Sequence, residues 1–373
     1  AGFGGAIVRR PGSWDYPLKP LNALSNLGLA TSISVVASYL WSRLFPHRRE
    51  DTFEEWVSNR FGRKLYRIFF KTYTEKVWGI PCSEIRAEWA AQRIKDLNLT
   101  VAVRNALFGQ RRGKEAVVQT LIEQFEYPPL GPGQMWRAAA DFTSARGGQV
   151  RLGTDVVRLR HAEGRVTDVG ASRDGTETVF RPSHVISSMP LAELVLDLDP
   201  PPGQDVVAAA RGLSYRDFLT VVLIVRQPNL FPDNWTYIHS PEVRVGRIQN
   251  FKNWSPRMVP DPAMTSLGLE YFCTEGDEVW SMTDGDLLAL GRREMAEIGL
   301  VNPSDVVDGT VVRQPKAYPV YSGTYAGHLR ILKDYLSTFD NLQTVGRNGL
   351  HKYNNQDHSM LTAMLAVRNL FGE

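Results

Sequence analysis

The chain has 373 residues, 43% of them hydrophobic and 22% charged, with a formal net charge of +3 at pH 7. That length allows two or three domains around a well-filled core, and the composition is ordinary for a soluble globular protein. The weak positive excess argues against nucleic acid as a partner, and Cys82 and Cys273 stand too far apart in sequence to imply a disulfide framework, which suits a reducing, cytoplasmic setting.

The first residues, "AGFGGAIVRR", have glycines but no strand before them and no apolar helix after them, so 1–13 reads as a flexible leader or a truncation edge. Residues 14–128 are helical in pattern. Their most apolar run, "LGLATSISVVASYLWSRLF", is broken by Thr31, several serines and Arg43. It falls short of the ~18 uninterrupted apolar residues of a membrane span. It is expected to be a packed helix, with peripheral membrane contact as the alternative. "FEEWVSNRFGRKLYRIFFKTYTEKVW" then spaces its large residues at three and four, the period of an amphipathic helix.

"YPPLGPGQMW" breaks that pattern with Pro and Gly, and Gln134 to Arg146 predicts a helix. "GGQVRLGTDVVRLRHAEGRVTDVGAS" and "TETVFRPSHVISSMP" are β-branched runs between turns, suggesting a strand, a meander and a return strand. "RDFLTVVLIV", "NWTYIHS", "VGRIQNF" and "MTSLGLEYFC" continue as strands of one antiparallel sheet. Two helices are expected at 284–298 and 325–338, and a strand, loop and helix close the chain. The result is a mixed α/β fold with interleaved segments. A helical part at 14–128 and an antiparallel sheet at 205–338 form one region; 129–204 and 339–373 form the other. A ligand is expected where two such regions meet.

The closing loop, "VGRNGLHKYNNQDHSM", concentrates hydrogen-bonding groups between the last strand and the last helix. Gly346 permits a tight turn and close backbone approach. Asn354, Asn355 and Asp357 are good N-cap residues for a helix beginning near Gln356. The free N–H groups and dipole of that helix favour partial negative charge above the strand end, a phosphate or a ring carbonyl. A capped helix end with chance polar decoration is the competing reading.

That loop resembles the C-terminal FAD loop of the flavoprotein superfamily containing UDP-galactopyranose mutases, protoporphyrinogen oxidases and amine oxidases. Gly346, Arg347, Lys352, Tyr353 and Asp357 match the mutases' G-R-x-x-x-x-[KR]-Y-x-D-x-D pattern, with Asn355 in place of its first Asp. "FFKTYTEKVWGIPCSEI" is similar to their Y-T-x-K-x-W-G segment, through Tyr73, Thr74, Lys76, Trp78 and Gly79. "GPGQMW", "QVRLGTDVVRL", "HVISSMP", "VGRIQNFKNW" and "KAYPVY" resemble further family segments in family order, so the likeness runs from about Trp14 to Phe371.

The resemblance implies FAD as cofactor, held by Gly133, Val156, Ser188, Pro190, Gly346, Arg347, Asn355, Gln356 and Asp357. It implies a small-molecule substrate bound by Tyr73, Thr74, Trp78 and Gln134, with Arg247, Tyr318 and Tyr353 at the chemistry. His351 and His358 are candidate proton carriers. The family's opening βαβ unit with G-x-G-x-x-G is not found in this sequence. The expected architecture is therefore an incomplete, N-terminally truncated FAD-binding Rossmann-like domain, interleaved with a helical and antiparallel-sheet substrate domain. Another chain could provide the missing unit.

Where the mutases carry a second substrate arginine, this chain has Leu97 after Arg93. Losing a bidentate grip on a diphosphate argues against galactopyranose mutase activity. Three functions follow: an FAD-dependent oxidoreductase acting on an undefined small molecule, a mutase-like isomerase of nucleotide sugars, or a non-catalytic fragment unable to hold FAD alone. Metal-ligand spacing and a hydrolase G-x-S-x-G elbow are both missing from the sequence.

Overall fold

The computed structural model describes residues 27–88 and 125–373, together with the backbone of two strands, β1 (Gly5–Arg9) and β2 (Gly12–Tyr16). In chain order follow α1 (Leu29–Leu44), α2 (Phe53–Phe61) and α3 (Arg63–Leu65). A π-helical stretch, Tyr66–Lys71, leads into α4 (Thr72–Trp78), and α5 (Gly133–Ser144) comes next. The chain continues through β3 (Asp155–Ala162), β4 (Arg165–Arg173), β5 (Thr176–Phe180), β6 (Val185–Ser187), α6 (Leu191–Leu196), β7 (Leu198–Asp199) and α7 (Gln204–Arg211). Next are β8 (Tyr215–Val225), β9 (Trp235–Ile238), β10 (Arg247–Asn250), α8 (Phe251–Trp254), β11 (Thr265–Cys273), α9 (Glu278–Ser281) and α10 (Asp284–Glu297). Last come β12 (Val306–Pro319), α11 (Tyr325–Leu336), β13 (Leu342–Thr344), α12 (Gly346–Gly349) and α13 (Gln356–Leu370). The mixed α/β class expected from the sequence is the one observed. Among the described residues, no helix is long and apolar enough to cross a membrane.

The chain divides into two units. The first is Ala1–Ala139 with Phe218–Gln314, and the second is Ala140–Asp217 with Pro315–Glu373.

The first unit is built on a seven-stranded sheet in the order β12-β8-β11-β10-β9-β1-β2. From Asp217 onward β8 alternates in burial, and Leu219, Val221, Leu223 and Val225 are fully buried with Leu267, Leu269 and Tyr271 of β11. α10 lies on this face through Leu287, Leu290 and Met295. Each such side chain contributes about 1.5–3 kcal/mol by leaving water. The glycine-rich opening expected as a leader instead supplies β1, which pairs in parallel with β9 and antiparallel with β2. Of strand β12 the sequence reading anticipated only the end at Tyr318, by resemblance, since the preceding "VVDGTVVRQP" mixes charge, Gly and Pro.

On the helical side of this unit, a capping box starts α2: Thr52 Oγ1 accepts from the Glu55 N–H at 3.3 Å, and Glu55 accepts from the Thr52 N–H at 3.1 Å. Gly62, at φ 84°, ends it. A Cβ there would stand 2.8 Å from the Tyr39 backbone, so glycine lets α1 press against the start of α3.

The second unit has a four-stranded sheet, β5-β4-β3-β7, and a parallel pair, β13-β6. Its core comprises Leu159, Leu191, Leu194, Val195, Leu198, Leu332 and Leu342 among others. The buried side chain of Asn341 joins the two sheets: it accepts from the Val166 N–H at 2.8 Å and donates to the Val166 and Ser183 carbonyls at 2.9 and 3.2 Å. In the pair, Leu342 faces Val185 and Thr344 faces Ser187, so both chains leave the sheet at the same end.

Candidate functional site

In the second unit, the C-terminal ends of β6 and β13 bring several expected cofactor residues together. The Val345 N–H donates to the Ser187 carbonyl at 2.9 Å, and Gly346 follows at φ 76° with the Ser188 side chain 3.9 Å from where its Cβ would be. Pro190 is the residue that precedes α6 as the chain leaves β6. α12 is a single turn that the sequence reading did not foresee, and it ends at Gly349, two residues before His351, which is held at φ 45°.

The loop is tied down by its own polar groups. The Arg347 guanidinium donates to the Asn354 carbonyl at 2.9 Å and the Ala317 carbonyl at 3.0 Å. It lies over both Tyr318 and Tyr353, 4.9 and 5.1 Å from their ring centroids. Those two rings stack at 5.7 Å and 9°. The Tyr353 N–H donates to the Tyr321 hydroxyl at 2.6 Å, and Tyr321 stacks on Tyr325 at 4.6 Å. Asn348 donates to the Lys316 carbonyl at 2.8 Å, while its own Oδ1 is buried without a hydrogen-bond partner.

Asn355 is the N-cap of α13, with no side-chain cap bond; Gln356, Asp357 and His358 are exposed. Asn354, expected as a cap, instead accepts from the Ser359 hydroxyl at 2.9 Å. The N-cap side chain thus leaves the helix start to the Asp357 carboxylate, and the positive dipole end remains at the surface. The backbone N–H of His358 holds the Asp357 carboxyl below its ordinary range. Val156 sits apart from this loop, exposed on β3 in the four-stranded sheet.

His351 does not fit the role of proton carrier near neutrality. It is 1% exposed and ringed by Tyr215, Tyr321 and Tyr325, and its Nε2 lies 3.4 Å from the Val320 carbonyl. Burial pulls its pKa from 6.5 down to about 4, so it is neutral at pH 7. His358, exposed and 3.0 Å from Asp357, keeps access to solvent.

In the first unit, Tyr73 stacks on His239 at 5.3 Å and meets Tyr237 edge-on at 5.1 Å. Thr74 and Trp78, expected beside a substrate, are buried at 4% and 3% exposure and contribute from the core side. Between them Lys76 reaches inward, donating to the carbonyls of Ile238, Ser240 and Val245 at 3.2, 2.8 and 3.0 Å. Its burial lowers the pKa from 10.5 to about 8. The buried Glu294 holds the same turn from the other polarity, accepting from the N–H groups of Arg244 and Val245 and from the Tyr271 hydroxyl.

That turn leads into Arg247, whose Nε pairs with the buried Glu270 carboxylate. Gln249 also donates to Glu270, at 3.0 Å, and accepts from the Trp254 indole at 2.9 Å. Trp254 stacks on Trp235 at 5.3 Å and lies against Tyr127. Gly133 has open space around its Cα, and the Gln134 side chain is turned back to accept from the Leu130 N–H at 3.3 Å. Sequence reading missed Glu270 and Lys76 as organisers. A lone charge in the buried strand "TSLGLEYFC" was the available signal for the first. Arg93 and Leu97 lie outside the described residues.

The donor set in the second unit fits FAD. A helix N-terminus, a left-handed glycine with no atom nearer than 3.9 Å to its Cβ position, and the outlet of a parallel strand pair are together the features that let backbone approach a phosphate or a ring carbonyl.

Comparison with known proteins bears on family and fold. The family model for flavin containing amine oxidoreductase matches residues 37–351. Among solved structures, a reduced UDP-galactopyranose mutase superposes with a TM-score of 0.82 at 20% identity, over 100% of this chain and 79% of that one. A protein of Exiguobacterium described as a protoporphyrinogen oxidase gives 0.68 at 13% identity, over 99% and 80%. A putrescine oxidase variant gives 0.59 at 12% identity, over 100% and 81%.

Proposed function

The chain belongs to the flavin-containing amine oxidoreductase family, whose cofactor is FAD, and on that premise we propose that it is an FAD-dependent oxidoreductase of a small molecule. When bound, the flavin supplies hydride or electron transfer, while the protein supplies binding, orientation and exclusion of water. Ser188, Pro190, Gly346 and Arg347 would hold it at the outlet of β6 and β13, with Asn355, Gln356 and Asp357 presenting the α13 N–H groups to its electron-rich edge. Val156 is assigned to the same cofactor. Tyr318 and Tyr353 present a stacked pair of phenols, fixed by Arg347 from above and by Tyr321 through the backbone. Arg247, set by Glu270, is a cation for a substrate oxygen. Tyr73 offers a partly exposed ring, Gln134 an exposed amide, and Thr74 and Trp78 back them from within.

The observation that carries this reading is the outlet of the β6–β13 pair, where left-handed Gly346 has no atom nearer than 3.9 Å to its Cβ position and leads towards the α13 N-terminus. The test is to express the chain, record its visible spectrum for bound flavin, and follow reduction by candidate amines and other small substrates. Replacing Gln356 and Asp357 together by Leu is expected to weaken flavin retention; unchanged retention counts against the assignment.

A second reading, flavin-dependent isomerisation of a nucleotide sugar, draws on the phenol pair, whose hydroxyls are donors suited to diphosphate oxygens. Turnover of a nucleotide sugar only with reduced flavin would favour it. Substrate-linked flavin reduction favours the first.

A further inference from the structure

Helix α1 is oriented against the usual rule for a surface helix. Leu29, Ile33, Val36, Leu40 and Leu44 recur at spacings of three and four and fall within about 80° of arc. All five are exposed, Leu29 at 80% and Leu44 at 73%, with Trp41 at 65% and Phe45 at 62% beside them. The packed side is opposite, where Val35 is 1% exposed and the backbone at Ser38 and Tyr39 meets Gly62. The side of α1 that packs on the protein is the smaller and more polar one, bearing Val35, Ser38, Tyr39 and Ser42.

The charges around this stripe are one-sided. α1 itself has no acidic residue; Arg43 flanks the stripe, and Arg48 and Arg49 follow its end, all three exposed. Arg63, Lys64 and Arg67, also exposed, lie on the segment that α1 packs against, where the Lys64 N–H donates to the Ser38 hydroxyl at 3.0 Å. From Leu29 to Arg67 there are seven Lys and Arg against four Asp and Glu. Of those acids, Glu50 is paired with Arg60 at 2.8 Å and Glu55 closes the α2 capping box, leaving Asp51 and Glu54. The three excess positive charges of this segment equal the net charge of the whole chain.

We propose that α1 lies flat on an anionic lipid surface, its leucine stripe and Trp41 in the acyl boundary and its arginines at the headgroups. At 16 residues it is about 24 Å long, too short to span a ~30 Å hydrocarbon core but suited to lying in the interface. Trp41 beside Arg43 supplies the amphipathic ring and extended cation that favour the headgroup boundary. A second copy of the chain is a poorer occupant. Antiparallel pairing of α1 would place each arginine end over a Leu29 end without acids, and parallel pairing would place arginine on arginine; anionic lipid supplies the missing negative charge.

Vesicle flotation tests this, using the full chain with phosphatidylcholine vesicles and with vesicles containing added phosphatidylglycerol. The chain is expected to float with the anionic vesicles, less so as salt rises, and to remain below with neutral ones. Replacing Arg48 and Arg49 by Gln should weaken partition about fivefold for each arginine. The pair L40E and L44E should abolish it, with circular dichroism reporting whether the fold is kept. Brominated phosphatidylglycerol should quench a component of the tryptophan emission that is absent in W41F, a readout independent of how the glutamate variants fold. Failure to float, equal flotation with neutral vesicles, or absence of Trp41 quenching overturns the proposal. So does a lipid-free dimer in sedimentation equilibrium that L40E dissociates, which would assign the stripe to a second copy.

Discussion

Acid should weaken the second unit through one histidine. His351 resists protonation in the fold until about pH 4, whereas in the unfolded chain it takes up a proton near 6.5. Between those values the unfolded state binds more protons, so stability falls as pH falls, and nothing is lost above 6.5. The full difference corresponds to about 3 kcal/mol, of which about 2 kcal/mol is already lost at about pH 5. The perturbation is His351→Asn, since Asn tolerates the left-handed backbone at φ 45° and carries no titrating ring. All nine tryptophans lie in the first unit's segments, so tryptophan fluorescence follows that unit. Urea transitions followed by circular dichroism reveal the other. Between about pH 7.5 and about pH 5, the wild-type second unit should lose about 2 kcal/mol more than the variant. Equal losses, or a ring resonance titrating near 6.5 in the folded protein, would refute the assignment of a dry, uncharged His351.

Lys76→Met should destabilise the first unit by about 2 kcal/mol at neutral pH, because three carbonyls lose their donor. Since the Lys76 pKa is depressed to about 8, its own contribution should grow from about pH 8 towards 10.5, widening the gap from the variant in fluorescence-monitored urea titrations. Gly346→Ala places a side chain at φ 76° and should cost about 1–2 kcal/mol, while reducing flavin retention measured by absorbance of the purified protein. Glu270→Gln leaves Arg247 without its carboxylate and should cost about 3 kcal/mol; a negligible change in thermal midpoint would show that Arg247 is held by other contacts.

Much of the architecture was legible because local patterns agreed with the global fold. The β-branched run "RDFLTVVLIV", the helix expected from 284, and the helix opening at Gln356 each state their element in a few residues. Most of β12 and the β1–β2 pair were not, since their strand state depends on partners remote in sequence and their own composition favours loops. At the candidate site, the resemblance identified residue types, and the fold changed what several of them do. Asn354 is tied to Ser359 rather than capping, Thr74 and Trp78 are core, and His351 is silenced by three tyrosines.

By itself, then, the sequence determined the α/β class, the flavoprotein family and the chemistry available in the closing loop, because periodicity, turn residues and motif spacing are short-range properties. Only the tertiary structure decided which donors are left unused. Arg347 is shared between two carbonyls and two rings, Glu270 reaches Arg247 across neighbouring strands, and Asn355 makes no side-chain cap bond to α13. Much of this hydrogen bonding and burial is assigned by residues brought together from distant parts of the chain, as with Arg347 and Ala317 or Arg247 and Glu270, and no local window of sequence contains both partners of such a pair.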